Sequence, residues 1–230
     1  MMRPVGILGG MGPDATVFLM QKVIAARPAA DDADHIPLIV HQNPQVPSRI
    51  KALIEGTGEN PGPVLADMAR GLGRAGAQVL AMPCNTAHAY AGYVRDATDL
   101  PFLDMIAATA ETLSQAKGTG ARVGMLASPA VRLAGVFDAT FAEAGLEPVW
   151  SRDEDGLLAV IRAVKAGRKG RDEVAELDRL ARGFIDAQGC DLLAVACTEL
   201  SILMPELTPD LPLTDTLDCL VARIVDFSVN

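Results

Sequence analysis

Aromatic residues are scarce in this sequence, cysteines are few and no apolar run is long. Phe, Trp and Tyr make up 4% of the 230 residues although 50% are hydrophobic, so Ala, Val, Leu and Ile dominate, as in parallel strands buried on both faces. No apolar stretch approaches the roughly 18 residues needed to cross a bilayer. The amino terminus lacks the apolar core and cleavage site of a signal peptide. The four cysteines lack framework spacing, which indicates reduced thiols. We therefore expect a cytoplasmic protein with no membrane partner.

The charge balance is acidic, which bears on the ligand. Twenty basic residues stand against 29 acidic ones, a formal net charge of −9. This argues against nucleic acid or an anionic membrane surface as a partner. If the ligand is a small anion, particular basic residues must hold it against the overall field.

Two cysteines occupy the same sequence setting. Cys84 follows Gly76 by eight residues (84 − 76), and Cys197 follows Gly189 by eight (197 − 189). Each ends an apolar run typical of a buried strand and precedes polar residues typical of a helix start. A thiol above a helix amino terminus is expected to have a lowered pKa. Two such thiols, one as base and one as acid, would invert a carbon without any cofactor.

The repetition extends beyond the cysteines and predicts the fold. Val5–Leu8 is echoed by Val123–Leu126, and Leu100–Asp104 by Leu211–Asp215, at offsets of 118 (123 − 5) and 111 (211 − 100) against 113 for the cysteines (197 − 84). A repeat this long indicates a duplicated domain. We predict an α/β protein with two similar lobes related by internal duplication, each a mainly parallel sheet flanked by helices, with a cleft between them. Residues 1–105 with 216–230 would form the first lobe, and residues 106–215 the second.

Eight strands alternating with helices are expected along the chain. The predicted strands are Val5–Leu8, Pro37–His41, Gln78–Met82, Phe102–Asp104, Arg122–Leu126, Glu147–Trp150, Leu192–Ala196 and Leu213–Asp215. Two of the predicted helices, Thr86–Ala97 and Ala130–Ala144, follow directly on loops in which a ligand would bind, beyond the carboxyl ends of strands.

The glycine-rich opening allows two interpretations. Gly10–Ala15 fits the dinucleotide fingerprint G-x-G-x-x-A after a strand, but the second strand ends His41-Gln42-Asn43, without the acid that would hold a ribose. A tight loop around a small carboxylate is therefore favoured, with the backbone amide of Met11 as a contact. No metal site is predicted, because His88, four residues after Cys84, gives only two evident ligands and no acidic partner is close in sequence.

Three segments carry a resemblance to a known family. The chain resembles the aspartate/glutamate racemase superfamily, and aspartate racemase most closely, from about Val5 to Asp215; the matching segments are Gly6–Thr16, Pro83–His88 and Ala196–Leu200. The resemblance implies a racemase that needs no cofactor (no pyridoxal phosphate), acts on a small amino acid or dicarboxylate and forms a homodimer. It also implies that Cys84 and Cys197 exchange the substrate's α-proton.

The resemblance further assigns substrate contacts. Arg49 and Lys165 match the arginine and lysine that hold the substrate's carboxylates in this family. The residues that match those around the α-carboxylate are Asn85, Thr86 and Thr198.

Two departures leave the substrate open. Close relatives read Pro-Asp-Arg-Thr around the arginine where this chain has Ser48 before Arg49, and they carry a threonine-bearing loop where this chain has Ser128. Both changes fall where the substrate's side chain would lie. The alternatives are another activity of the superfamily, such as hydantoin racemase or maleate isomerase, and a non-catalytic protein that binds small anions. A decarboxylase of this group would be expected to keep one cysteine of the pair.

Overall fold

Eight strands and ten α-helices alternate along residues 2–208 and 210–230, the part of the chain that the computed structural model describes, with Ile54 by its backbone alone. The strands are β1 (Val5–Gly9), β2 (Leu38–Gln42), β3 (Val79–Ala81), β4 (Phe102–Leu103), β5 (Arg122–Leu126), β6 (Glu147–Trp150), β7 (Leu192–Val195) and β8 (Leu213–Asp215). The helices are α1 (Pro13–Ala26), α2 (Gly62–Arg74), α3 (Ala91–Arg95), α4 (Met105–Lys117), α5 (Pro129–Leu133), α6 (Asp138–Ala144), α7 (Glu154–Lys165), α8 (Arg171–Asp186), α9 (Thr198–Ser201) and α10 (Thr216–Val229). Among the described helices, none has the length and apolar character that crossing a membrane requires.

The strands form two four-stranded sheets with the same topology. Their orders are β2-β1-β3-β4 and β6-β5-β7-β8, and every pairing is parallel. This confirms the predicted α/β class with two similar, mainly parallel sheets. All eight predicted strands are present, and their ends differ from the prediction by no more than one residue.

Alternate residues of each central strand pack on opposite faces of its sheet. In β1, Val5 and Ile7 join an apolar cluster with α1 and α10, while Leu8 joins a second cluster with α2. In β5, Val123 and Met125 pack with α4 and α6, and Leu126 packs with α7 and α8. Both faces of both sheets are therefore covered by helices, which explains the apolar strands and the small number of aromatic residues.

The chain divides into two compact units. The first contains residues 1–105 and 217–230, and the second contains residues 106–216. The polypeptide passes from the first unit to the second at the start of α4 and returns at the start of α10. The helix that follows the last strand of each sheet therefore belongs to the other unit.

Two helices differ from the prediction. The segment after Cys84 begins as a 3₁₀ helix, Thr86–Tyr90, before α3. The predicted helix Ala130–Ala144 is divided into α5 and α6, and between them Gly135 has a φ of +61°, a left-handed conformation that interrupts an α-helix.

Candidate active site

The glycine-rich loop after β1 is held closely against the end of β2. A Cβ on Gly10, whose φ is +95°, would lie 2.4 Å from the carbonyl carbon of Asn43, so only glycine fits there. The Thr16 hydroxyl accepts a hydrogen bond from the Gly10 amide (2.9 Å) and donates to the carbonyl of Gly12 (3.2 Å). Met11, in the middle of the loop, is buried in the same apolar cluster as Cys84. The loop and the first cysteine are thus neighbours in the first unit.

Cys84 lies just beyond β3 and is buried. Its amide donates to the carbonyl of Met82 at 2.9 Å. Asn85, which follows it, is also buried, and Thr86 is partly exposed. The three residues thus form the short turn that carries the chain from the buried strand into the 3₁₀ helix.

His88 holds the carbonyl of Cys84 in place. The Met105 amide donates to His88 Nε2 at 3.2 Å, so Nε2 is the acceptor and Nδ1 carries the proton that it donates to the Cys84 carbonyl at 2.9 Å. Burial lowers the pKa of His88, opposed by the charge of Asp104 and the bond to Cys84. A neutral His88 therefore links the backbone of the first cysteine to the start of α4.

The guanidinium of Arg49 is bound by its own loop. Its Nη1 donates to the carbonyls of Val46 at 3.3 Å and Pro47 at 3.1 Å. Its Nε is buried without a hydrogen-bond partner, and no carboxylate of the described residues pairs with it. Burial raises the pKa of Tyr90, and the charge of Arg49 opposes part of this rise. Arg49 thus lies near the segment that follows Cys84.

In the second unit, Cys197 belongs to a row of three functional groups. Its Sγ donates to Oε2 of Glu199 at 3.1 Å, and Oε1 of the same carboxylate is 3.3 Å from Nζ of Lys165, the last residue of α7. Burial raises the pKa of the Cys197 thiol well above its ordinary value. The charge of Glu199 and its hydrogen bond add to this, whereas Lys165 acts in the opposite direction. Thr198, next to the cysteine, is buried.

The expected lowering of the thiol pKa by helix amides is outweighed at Cys197: the Glu199 amide lowers the pKa, but burial and the Glu199 carboxylate raise it well above its ordinary value. The cysteine is the N-cap of α9, but this helix has only 4 residues. So short a helix has few free amides and a small dipole. Their lowering of the pKa is smaller than the rise caused by burial and the adjacent carboxylate. The charged neighbour of the thiol, and not the backbone around it, sets the direction of its pKa together with burial.

Glu199 is the site residue that the sequence argument missed. It stands two residues after Cys197, where the first half of the chain has Thr86 two residues after Cys84. An alignment of the first half of the sequence with the second would have shown a threonine hydroxyl at this position in one half and a carboxylate in the other. The other predicted residues fall into two groups: Met11, Arg49, Asn85 and Thr86 with Cys84 in the first unit, and Lys165 and Thr198 with Cys197 in the second.

Fold and site together define a class of protein: two α/β units with the same parallel strand order, each carrying a buried cysteine just beyond its third strand. The chain belongs to the Asp/Glu/Hydantoin racemase family, whose sequence model matches residues 8–224.

Three named relatives are similar over nearly the whole chain. The aspartate racemase of Picrophilus torridus superposes with a TM-score of 0.84 at 28% identity, covering 98% of this chain and 94% of that one. The broad specificity amino-acid racemase RacX of Bacillus subtilis is 23% identical over 231 residues, 96% of each chain. Glutamate racemase from Francisella tularensis, solved with D-glutamate, shares the fold with a TM-score of 0.64 at 16% identity, covering 97% of this chain and 80% of that one.

Proposed function

We propose that this protein is a cofactor-independent racemase of aspartate or a related amino acid, with Cys84 and Cys197 as acid and base on opposite faces of the α-carbon. The observation that carries the proposal is the recurrence of a buried cysteine beyond β3 and β7, the corresponding strands of two sheets with one topology. Membership in a racemase family supports the reaction class, and the 28% identity to an aspartate racemase supports the substrate.

The chemistry needs more than two thiols. Positioned proton transfer contributes about 10²–10⁴-fold, too little by itself for a proton as weakly acidic as the α-hydrogen of an amino acid. Hydrogen-bond donors aimed at the α-carboxylate would stabilise the developing carbanion. Asn85 and Thr86 beside Cys84, Thr198 beside Cys197, and the amide of Met11 are the groups that we assign to this role.

Arg49 favours a substrate with a second carboxylate. A guanidinium can bind a carboxylate through two parallel hydrogen bonds, and a buried N–H without a partner is unfavourable by about 1–3 kcal/mol until a ligand satisfies it. The unpartnered Nε of Arg49 therefore fits a ligand anion. Lys165 would be the second cation, although its ammonium already contacts Glu199.

The test is α-proton exchange in D₂O, followed by proton NMR without added cofactor. The L- and D-enantiomers of aspartate, glutamate, alanine and homoserine would be compared for the wild-type protein, Cys84→Ser, Cys197→Ser and the control Cys190→Ser, which changes a buried cysteine just before β7. We expect inversion of at least one amino acid, reduced by at least about a hundredfold in each of the first two variants and kept in the control.

Full racemisation by Cys84→Ser or Cys197→Ser would refute the two-thiol mechanism. Absence of exchange across the panel would refute amino-acid racemisation and direct the same assay to hydantoins and maleate.

A further inference from the structure

Cys197 differs from Cys84 in having a carboxylate of its own. Glu199 Oε2 accepts the hydrogen bond from Cys197 Sγ at 3.1 Å, and the Glu199 side chain is 10% exposed. We propose that Glu199 is a further catalytic residue, which keeps the proton on the Cys197 sulfur in the substrate-free protein, so that Cys197 meets the substrate as the acid of the pair. This inference rests on the proposed racemase function and assigns the direction of the first proton transfers.

Glu199 acts on Cys197 through its charge. Loss of the thiol proton would place a thiolate about one hydrogen-bond length from a carboxylate in a buried site, where like charges repel strongly. Lys165 opposes this, but its side chain is 48% exposed, so solvent weakens its effect. The protonated thiol is therefore the favoured form, in agreement with the raised pKa of Cys197.

The neighbouring elements supply few other charges to this thiol. Glu199 on α9 and Lys165 on α7 are the charged groups that act on it within the described residues. Asp215, the buried acid at the end of β8, accepts a hydrogen bond from the Ser201 hydroxyl at 2.7 Å. Its carboxylate is thus bound to a hydroxyl and not to the thiol.

The corresponding position in the first unit is uncharged. Thr86 stands two residues after Cys84 (86 − 84), as Glu199 stands two after Cys197 (199 − 197). The Cys197 thiol thus has a carboxylate beside it, whereas the position with the same spacing after Cys84 is a threonine. This difference gives the two cysteines unequal roles in the substrate-free protein.

The proton transfers balance as follows. The Cys84 thiolate takes the α-proton, forming an S–H bond while the pair of the broken C–H bond stays on carbon. The carbanion then takes the proton of Cys197, whose S–H pair stays on sulfur. The product state has Cys84 as thiol and Cys197 as thiolate beside Glu199. The repulsion from Glu199 favours the return of Cys197 to the thiol with a proton from water, while Cys84 releases its proton to water, so that the number of protons on the pair is unchanged before the next turnover.

Alkylation of Cys197 tests this without requiring turnover. The rate of iodoacetamide modification would be followed against pH, with peptide mass spectrometry to separate the four cysteines. Removing the carboxylate in Glu199→Gln should move the midpoint for Cys197 down by about one pH unit or more, a tenfold faster reaction at pH 7.5. Lys165→Gln should move it upward, since the opposing positive charge is lost.

Opposite shifts for opposite charges distinguish an electrostatic role from a structural one. Glu199→Asp keeps the negative charge, so the alkylation midpoint of Cys197 should stay closer to the wild-type value than it does in Glu199→Gln. Glu143→Gln, an exposed change in the same unit, should leave that midpoint unchanged. The proposal is overturned if Glu199→Gln leaves the Cys197 midpoint unchanged or raises it, or if both charge removals shift it the same way.

A half-reaction connects the result to catalysis. The equilibrium constant between enantiomers is one by symmetry, so kcat/KM for the two enantiomers stays equal in every variant and cannot reveal unequal thiols. In a Cys84→Ser background, α-proton exchange depends on the Cys197 thiolate and should rise with pH; adding Glu199→Gln should move this rise to lower pH. A failed racemase assay with the alkylation shift intact would reject the proposed function alone, whereas racemase activity without the shift would reject the role of Glu199 alone.

Discussion

At the scale of single residues, the two cysteines follow corresponding strands and have different charges around them. Cys84 lies near a loop that holds Arg49, and Cys197 lies against Glu199. The sequence pattern located both thiols because strand-end position depends on local apolar runs. It could not predict their protonation, because that depends on side-chain atoms 3 Å away and on burial.

The first residue-scale prediction concerns Arg49. Arg49→Lys keeps the positive charge but replaces the planar guanidinium by an ammonium. A substrate carboxylate would then lose one of the two parallel hydrogen bonds that the guanidinium can donate. If the substrate is dicarboxylic, we expect kcat/KM to fall about 10- to 100-fold, mainly through KM, in steady-state racemisation of aspartate.

The matched control for that change is Arg74→Lys, at the exposed end of α2. It should keep kcat/KM close to the wild-type value. An Arg49→Lys protein with wild-type KM would show that Arg49 does not bind the substrate.

At the scale of elements, each sheet depends on one glycine in its first strand. Gly6 in β1 pairs with Leu80, and Gly124 in β5 pairs with Leu193. A Cβ on Gly6 would lie 2.9 Å from Leu80 Cδ2, and one on Gly124 would lie 2.7 Å from Leu193 Cδ2. The repeat of Val-Gly in the sequence thus marks a position where only a hydrogen fits between strand and core.

Replacing Gly6 should therefore destabilise the sheet. Gly6→Ala would also bring its Cβ to 2.8 Å from the Ala77 Cβ, and such overpacking costs about 1–3 kcal/mol of unfolding free energy. We expect a lower urea midpoint by circular dichroism.

Gly71→Ala in α2 is the comparison, because its new Cβ meets nothing closer than 4.0 Å. That change should stabilise the helix by about 0.5–1 kcal/mol. If both alanines shift the midpoint in the same direction, the close contact at Gly6 does not limit stability.

At the scale of the whole molecule, His88 couples stability to pH. In the folded protein its pKa is lowered, chiefly by burial, from the ordinary histidine value of 6.5, so the folded protein favours neutral His88. The stability that this provides is present above pH 6.5 and is lost as the pH falls below it, since the unfolded chain then binds the extra proton.

The prediction compares His88→Asn with the wild-type protein at pH 7.5, 6.5 and 5.5. Below pH 6.5 the wild-type protein should lose up to about 1.4 kcal/mol per pH unit more than the variant, measured by urea unfolding. The difference in stability between the two should therefore shrink as the pH falls. The control is His41→Asn, an exposed change, whose free energy of unfolding should vary with pH as that of the wild-type protein does. If the difference in unfolding free energy between His88→Asn and the wild-type protein does not vary with pH, His88 does not couple stability to pH.

The sequence by itself determined the eight strands, the parallel α/β class and the location of both cysteines, because these follow from short apolar runs and from repetition between the two halves. Through the family resemblance it also predicts substrate contacts for Arg49, Lys165 and the residues beside the thiols. Only the tertiary structure decided what those groups contact. The break between α5 and α6, the unpartnered Nε of Arg49, the neutral His88 and the carboxylate beside Cys197 all depend on backbone conformation or on atoms brought together by folding. Such contacts set charge and hydrogen bonding, and no local pattern in the sequence encodes them.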